Sequence, residues 1–225
     1  MRTRYHPFLA VALVCAARAD SLDDVLSRMD ATAKSFKAYS ADVKTVDYTK
    51  LFDDKAESVG SMRLQRTKNG VSGIVDFNTG INPFILHLNG TTSERYLPKA
   101  NEIQVYNMRK ISATIDQMLL LGFDVTRDEM MRDYVIKSGG AAKVGSDDTT
   151  RVVLTPKSAE TLKVVKTVEL WILDGKGYPI QIKETTPEGN YKLFVLSKLV
   201  LNPTLPASAF ELPPAAAKAK RTKVN

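Results

Sequence analysis

The pair Asn69-Gly70 stands between two alternating runs, and it constrains the fold of this chain more than any other feature. Asn-Gly suits a two-residue type I′ turn, because both central positions take positive φ. Before it, Val59 to Gln65 sets Met62 and Leu64 on one face against Arg63 and Gln65 on the other. After it, Val71 to Phe77 carries Val75 and Phe77 at the same period. A period of two gives a strand one apolar face. The spacing predicts a β-hairpin with one side buried.

The same rhythm continues in both directions. Tyr39 to Leu51 is rich in Tyr, Val and Thr and ends at Asp53-Asp54. Phe84 to Leu88, Arg95 to Leu97 and Ile103 to Asn107 follow, with Asn89-Gly90 as a turn. Later come Tyr134 to Lys137 and Arg151 to Thr155, read as strands across a Gly139-Gly140 loop. Val164 to Leu173, Pro179 to Thr185 and Tyr191 to Leu201 complete the series, punctuated by Asp174-Gly175 to Gly177 and by Pro187-Glu188-Gly189. About ten antiparallel strands in one chain must curl or close to protect their edges. No internal repeat is visible.

Helices interrupt the strands at three places. Leu22, Val25, Leu26, Met29, Ala33 and Phe36 recur at helical spacing, with Ser21 as N-cap ahead of Asp23 and Asp24. Ile111 to Phe123 reads as a second helix, apolar on more than one side through Ile115, Met118, Leu119 and Leu121. Thr126-x-x-Glu129 is a capping box for a short third helix through Tyr134. Apolar helices beside a curling sheet must pack on one of its faces. The expected fold is α+β, mainly antiparallel β: a strongly curved sheet with helices across its concave face. Pro203, Pro206, Pro213 and Pro214 argue against further regular structure beyond a short extended piece at Ala209 to Leu212.

At the N-terminus, Arg2 and Arg4 precede a short apolar run, Phe8 to Ala17, and Ala17-Arg18-Ala19 follows. This predicts a cleaved secretory leader over residues 1–19. The run falls short of the roughly 20 residues a spanning helix needs. Cys15 follows Val14, where a lipidated cysteine is normally preceded by a small residue, so a soluble chain beginning at Asp20 is expected. Residues 20–214 then form a single domain, and 215–225 a basic, disordered tail.

The net charge of +7 does not describe the body of the protein. Removing Arg2, Arg4 and Arg18 with the leader, and setting aside Lys218, Lys220, Arg221 and Lys223 in the tail, leaves as many bases as the 25 acids. A neutral body offers no footprint for phosphate backbones, so no nucleic-acid partner is expected. The single cysteine lies in the leader, which removes disulfides and thiol chemistry from the mature chain.

Catalytic groups are few. His87 is the only histidine after the leader, and it alternates with Leu86 and Leu88 as a structural or surface residue would. One histidine and no thiolate make no metal site. There is no Gly-x-Ser-x-Gly elbow and no phosphate loop. Asp23-Asp24, Asp53-Asp54 and Asp147-Asp148 are neighbours whose side chains diverge, and so are solvated charges. No enzyme activity, metal or cofactor is expected. What remains is apolar surface: Met62, Leu64, Val75, Phe77, Leu86, Leu88, Val168, Leu170 and Ile172 could fill a core or line a cavity. Periodicity alone favours a filled core.

The order of these pieces resembles the LolA family, the periplasmic carriers of outer-membrane lipoproteins. The Leu22 to Phe36 helix followed by Tyr39-Ser-Ala-Asp-Val is similar to that family's opening. Gly60-Ser-Met-Arg-Leu-Gln-Arg66 resembles its second strand, which ends in an arginine. Val153-Leu-Thr-Pro-Lys157 and the closing Phe210-Glu-Leu-Pro-Pro214 also match in kind. Thr67 stands where the better-known carriers have proline.

The resemblance implies an incomplete β-barrel with a helical lid over an apolar cavity that accepts acyl chains. Arg66 would tie the lid, with Met29 in the first helix and Leu121 in the second as its lid partners. Met62, Leu64, Val75, Phe77, Leu86, Leu88, Ile115, Met118, Leu119, Leu170 and Ile172 would line the cavity. The implied role is a monomeric periplasmic carrier of acylated lipoproteins or another lipid, loaded by an inner-membrane ABC-type releasing complex and unloaded to an outer-membrane acceptor. The alternative is a regulatory module of the same fold that senses lipid or lipoprotein.

Overall fold

The computed structural model describes residues 20–68, 70–80, 83–90, 92–107 and 120–224. Helix α1 spans Leu22–Ser35, and the Ser21 side chain caps it by accepting from the Asp24 N–H at 3.2 Å. Asp23 and Asp24 sit in its first turn, where the helix dipole favours negative charge. Val25, Leu26, Met29 and Ala33 form its buried stripe.

Among the described residues twelve strands follow: β1 Ala38–Thr49, β2 Asp54–Thr67, β3 Gly70–Phe77, β4 Phe84–Asn89, β5 Thr92–Leu97, β6 Glu102–Asn107, β7 Tyr134–Val144, β8 Asp147–Pro156, β9 Thr167–Leu173, β10 Pro179–Thr185, β11 Tyr191–Leu201 and β12 Lys220–Val224. They form one sheet in the order β12-β6-β5-β4-β3-β2-β1-β11-β10-β9-β8-β7. β12 and β7 are its two edges, so the sheet curves without closing. The expected incomplete barrel is the architecture found. The described residues also include helices α2, Arg127–Asp133, and α3, Ala159–Leu162.

The Asn69-Gly70 signal pairs β2 with β3, Thr67 opposite Gly70 and Met62 opposite Val75. The apolar faces of β1–β4 and β8–β11 share one buried cluster with α1. One core joins Val25 and Met29 of α1 to Tyr39 and Val43 of β1, Leu64 of β2, Leu154 of β8 and Leu170 of β9. Leu51 and Phe52, in the turn at the tip of the β1–β2 hairpin, stay exposed.

Several expectations are corrected. The tail, expected to be disordered, forms a 3-10 turn at Pro214–Lys218 and then β12, which runs parallel to β6. Pro213 and Pro214 begin this turn rather than prevent structure, since a fixed φ suits the first turn of a helix. Ala216 then covers Tyr96 and Ile103 on the outer face of β5 and β6, a second small core. The extended piece expected at Ala209 to Leu212 is instead a 3-10 turn at Ala207–Phe210 that buries Phe210. Gly139-Gly140 is no loop. It lies within β7 as a register shift between Ser138 and Gly140, and the β7–β8 hairpin turns at residues 145–146. The helix α2 ends at Asp133, before Tyr134. The strand expected from Val164 begins at Thr167, after α3. The helix expected over Ile111 to Phe123 lies outside the described residues as far as 119; Leu120 is helical, and 121–124 form a turn in which the Phe123 and Asp124 N–H groups donate to the Leu120 carbonyl. The proposed leader, residues 1–19, also lies outside the described residues.

Candidate functional site

The concave face is the place where the apolar strand residues meet. Met62, Leu64, Val75, Phe77, Leu88, Leu170 and Ile172 are all buried there, in one continuous cluster with Met29 and Leu121. Leu86 is partly buried against the same cluster. Ile115, Met118 and Leu119 lie outside the described residues.

α1 is fastened to the sheet at both ends. At its start, Arg28 pairs with Asp20, and its Nε donates to the Lys176 carbonyl at 3.0 Å in the β9–β10 turn. Gly177 in that turn has no room for a side chain, because a Cβ would collide with the Arg28 carbonyl. Along α1, Asp30 accepts from the Arg127 N–H at 3.1 Å, and Asp23 pairs with the Arg127 side chain at 2.6 Å. Hydrogen bonds from Lys34 and from the Arg127 N–H hold the Asp30 carboxyl below its ordinary value. α2 is positioned by the capping box foreseen in the sequence: Thr126 Oγ1 accepts from the Glu129 N–H at 3.4 Å, and Glu129 Oε2 accepts from the Thr126 N–H at 2.9 Å.

At the other end of α1 stands Arg66. Its backbone N–H donates to the Lys37 carbonyl at 2.8 Å. Its Nη2 donates to the Ala33 carbonyl at 3.2 Å and to the Asp124 carbonyl at 3.4 Å, and the guanidinium pairs with the Asp124 carboxylate. Its Cζ lies 5.9 Å from the centre of the Phe36 ring. One side chain at the end of β2 therefore reaches both the last turn of α1 and the 121–124 turn. Beneath it, Phe123 stacks between Tyr39, at 4.4 Å, and Tyr178, at 6.3 Å. Gly122 holds the turn at φ +90°, a conformation that favours glycine.

Sequence reasoning missed two polar groups on the apolar face. Arg95 lies opposite Leu86 on one side and Gln104 on the other. Glu184 lies opposite Val168 in β9 and Lys192 in β11, with Oε2 buried and unpartnered. Burial pushes the Glu184 carboxyl up, against the opposing pull of Lys192. His87, by contrast, faces outward: its Nδ1 lies 3.1 Å from Glu94 Oε2, and Glu94 also pairs with Arg221 of β12. Among the described residues no cluster of His, Cys, Asp or Glu could hold a metal ion, and no helix is long and apolar enough to cross a membrane.

No protein-family model matches the chain, and no curated protein matches it in sequence. Solved structures do match its fold. An uncharacterized conserved protein from Thermus thermophilus superposes with a TM-score of 0.56 at 10% identity, over 91% of this chain and 100% of that one. MucB superposes with a TM-score of 0.51 at 12% identity over 88% of this chain, which spans 64% of MucB. MucB of Pseudomonas aeruginosa has also been solved in complex with MucA. A LolA superfamily protein from Nitrosomonas europaea matches at 13% identity over 84% of this chain and 97% of that one, but its TM-score of 0.39 is too low to carry an argument. At such identities the likeness is one of fold.

Proposed function

We propose that the protein is an exported carrier that receives the acyl chains of lipoproteins, or of another lipid, on the concave face of its sheet and releases them towards the outer membrane. The observation that carries this reading is Arg66. It hydrogen-bonds to α1 and to the 121–124 turn while both rest on an apolar sheet face. Such ties can hold a lid over apolar side chains and yield when a ligand offers more buried surface, each CH₂ contributing about 0.8 kcal/mol. Export rests on the leader-like residues 1–19, and the releasing complex and acceptor on the resemblance to the LolA family.

The test is direct. An apolar fluorescent probe should bind the native protein at micromolar concentration and be displaced by acyl chains. No binding under native conditions would return the concave residues to ordinary core.

A second reading, a regulatory module that recognises a membrane-protein partner, is favoured by the shared fold with MucB. Purification from the native envelope, followed by mass spectrometry of what accompanies the protein, separates the two. Lipid or lipoprotein supports the carrier, and a stoichiometric regulatory protein supports the module.

A further inference from the structure

The inner surface of the sheet is not uniformly apolar. Across β3 and β4 it carries Val75, Phe77, Leu86 and Leu88. One strand further, the row opposite Leu86 becomes Arg95 and Gln104, and the row opposite Leu88 becomes Ser93 and Tyr106. At this boundary a pocket of about 320 Å³ opens, lined by Pro83, Arg95, Leu97, Lys99, Ala100 and Gln104. Among the described residues its lining contains two cations and no carboxylate.

Arg95 is the unusual member. Its guanidinium lies 4.1 Å from the centre of the Phe84 ring, and its Nε is buried without a hydrogen-bond partner. The acid that could have served it faces the other way: Glu94 is taken by His87 and Arg221 on the outer side of the sheet. Gln104 accepts from the Tyr106 hydroxyl through Oε1 at 3.0 Å, which leaves its amide NH₂ as a donor. Lys99 stands exposed on the β5–β6 turn. Among the described residues the pocket thus gathers side-chain donors, and the Gln104 oxygen, its side-chain acceptor, is already engaged by Tyr106. A buried guanidinium N–H without an acceptor is costly, and a planar or tetrahedral oxyanion satisfies it best.

We propose that this pocket binds the anionic head of an acyl-chain ligand, a carboxylate or a phosphate, while the tail runs from Leu86 onto the apolar strands. The inference rests on the carrier reading, because it assigns one end of the molecule whose other end that reading places on the concave face. Arg95 supplies the directional contact, the Phe84 ring holds its plane, and Lys99 adds charge at the mouth.

The experiment titrates the mature chain with a dansyl-labelled undecanoic acid and with its methyl ester, which has the same tail and no charge. The acid should bind about tenfold tighter than the ester, the range of a charge-assisted hydrogen bond. Arg95→Met keeps an apolar stem against Phe84 and should bring the acid down to the ester, whose own affinity stays within about twofold. Lys99→Gln, at an exposed site where folding is not at risk, should reduce the preference by about two- to threefold.

Equal binding of acid and ester by the parent protein overturns the head site and leaves the carrier reading standing. If neither probe binds, the carrier reading falls and the inference with it. If Arg95→Met loses both probes alike while Lys99→Gln changes nothing, Arg95 is a packing group and the inference is overturned. Inorganic phosphate separates a lipid head from a free anion: it should displace the acid only at about a hundredfold excess or more, since it lacks the tail. Displacement at concentrations equal to the acid would reassign the pocket to free anions and overturn the proposal.

Discussion

The rings of Tyr39 in β1 and Phe123 in the 121–124 turn stack with centroids 4.4 Å apart and 15° between their planes. Both residues are wholly buried, and the Tyr39 hydroxyl donates to the Met62 sulfur at 3.7 Å. Burial also pushes the Tyr39 phenol well above its ordinary pKa. The stack joins the sheet to the turn that lies over it, directly below the Arg66 ties.

Phe123→Ala should therefore destabilise the protein by about 3–5 kcal/mol, the usual range for a buried phenylalanine. Urea unfolding measures the loss. If the turn belongs to a lid, the same variant should also admit an apolar probe faster, in stopped-flow mixing, than the parent.

Arg66→Leu removes two hydrogen bonds and an ion pair and adds apolar surface, so the empty state weakens relative to the filled one. Bound probe should dissociate more slowly, and equal or faster dissociation would rule out the latch. The substitution also strands the Asp124 carboxylate, whose side chain is 16% exposed. That should cost about 1–3 kcal/mol of stability. The double variant Arg66→Leu/Asp124→Leu should recover most of the loss, because replacing both partners of a pair leaves no orphan charge.

Glu184 makes a pH-dependent prediction. Its folded pKa is raised by burial above the ordinary 4.5, so between that value and the raised one the folded state holds more proton than the unfolded state. Stability must fall as pH rises through that window. Glu184→Gln should be more stable than the parent at neutral pH, by no more than about 1 kcal/mol because solvent still reaches the group. Below about pH 4 the advantage should vanish. Chemical denaturation at several pH values reads the difference.

Glu94 gives the opposite sign. Burial pushes its carboxyl up, but hydrogen bonds from Arg221 and His87 outweigh burial and hold it below 4.5. Its contribution is present above the unfolded value and lost as pH falls through the folded one. Glu94→Gln should cost no more than about 1 kcal/mol at neutral pH, since solvent screens part of the pairing, and nothing in strong acid. Truncation before Lys220 should remove the Arg221 share of that contribution and leave the His87 share. It would also bare the β6 edge, seen as self-association in sedimentation.

Much of this protein was legible in the chain. Asn69-Gly70 marked the β2–β3 hairpin because its composition is a local turn signal, although the pairing of Thr67 with Gly70 puts Gly70 in β3 rather than inside the turn. Thr126 and Glu129 announced α2, and Leu22 to Phe36 announced α1, because capping and helical spacing are also local. The gathering of Met62, Val75, Leu88 and Leu170 followed from period two once a curved sheet was assumed. Arg66 was singled out through the resemblance to a family, since nothing in its neighbours marks a strand-end arginine as different from any other.

Other features had no local signature. Lys220 to Val224 reads as a solvated basic tail, and becomes a strand only because β6 leaves an unpaired edge and Tyr96 and Ile103 leave an uncovered face. Gly139-Gly140 reads as a turn, and becomes a bulge because β8 extends past it and keeps pairing. Arg95 and Glu184 read as ordinary polar residues in their strands. Which side of the sheet they face, and whether an opposite charge waits there, depends on residues far away in the chain. Turns, caps and alternation are decided within a few residues, so the sequence by itself determined the elements and their apolar faces. Edges, coverings and unpaired buried charges are properties of surfaces that meet only after folding, and these the tertiary structure decided.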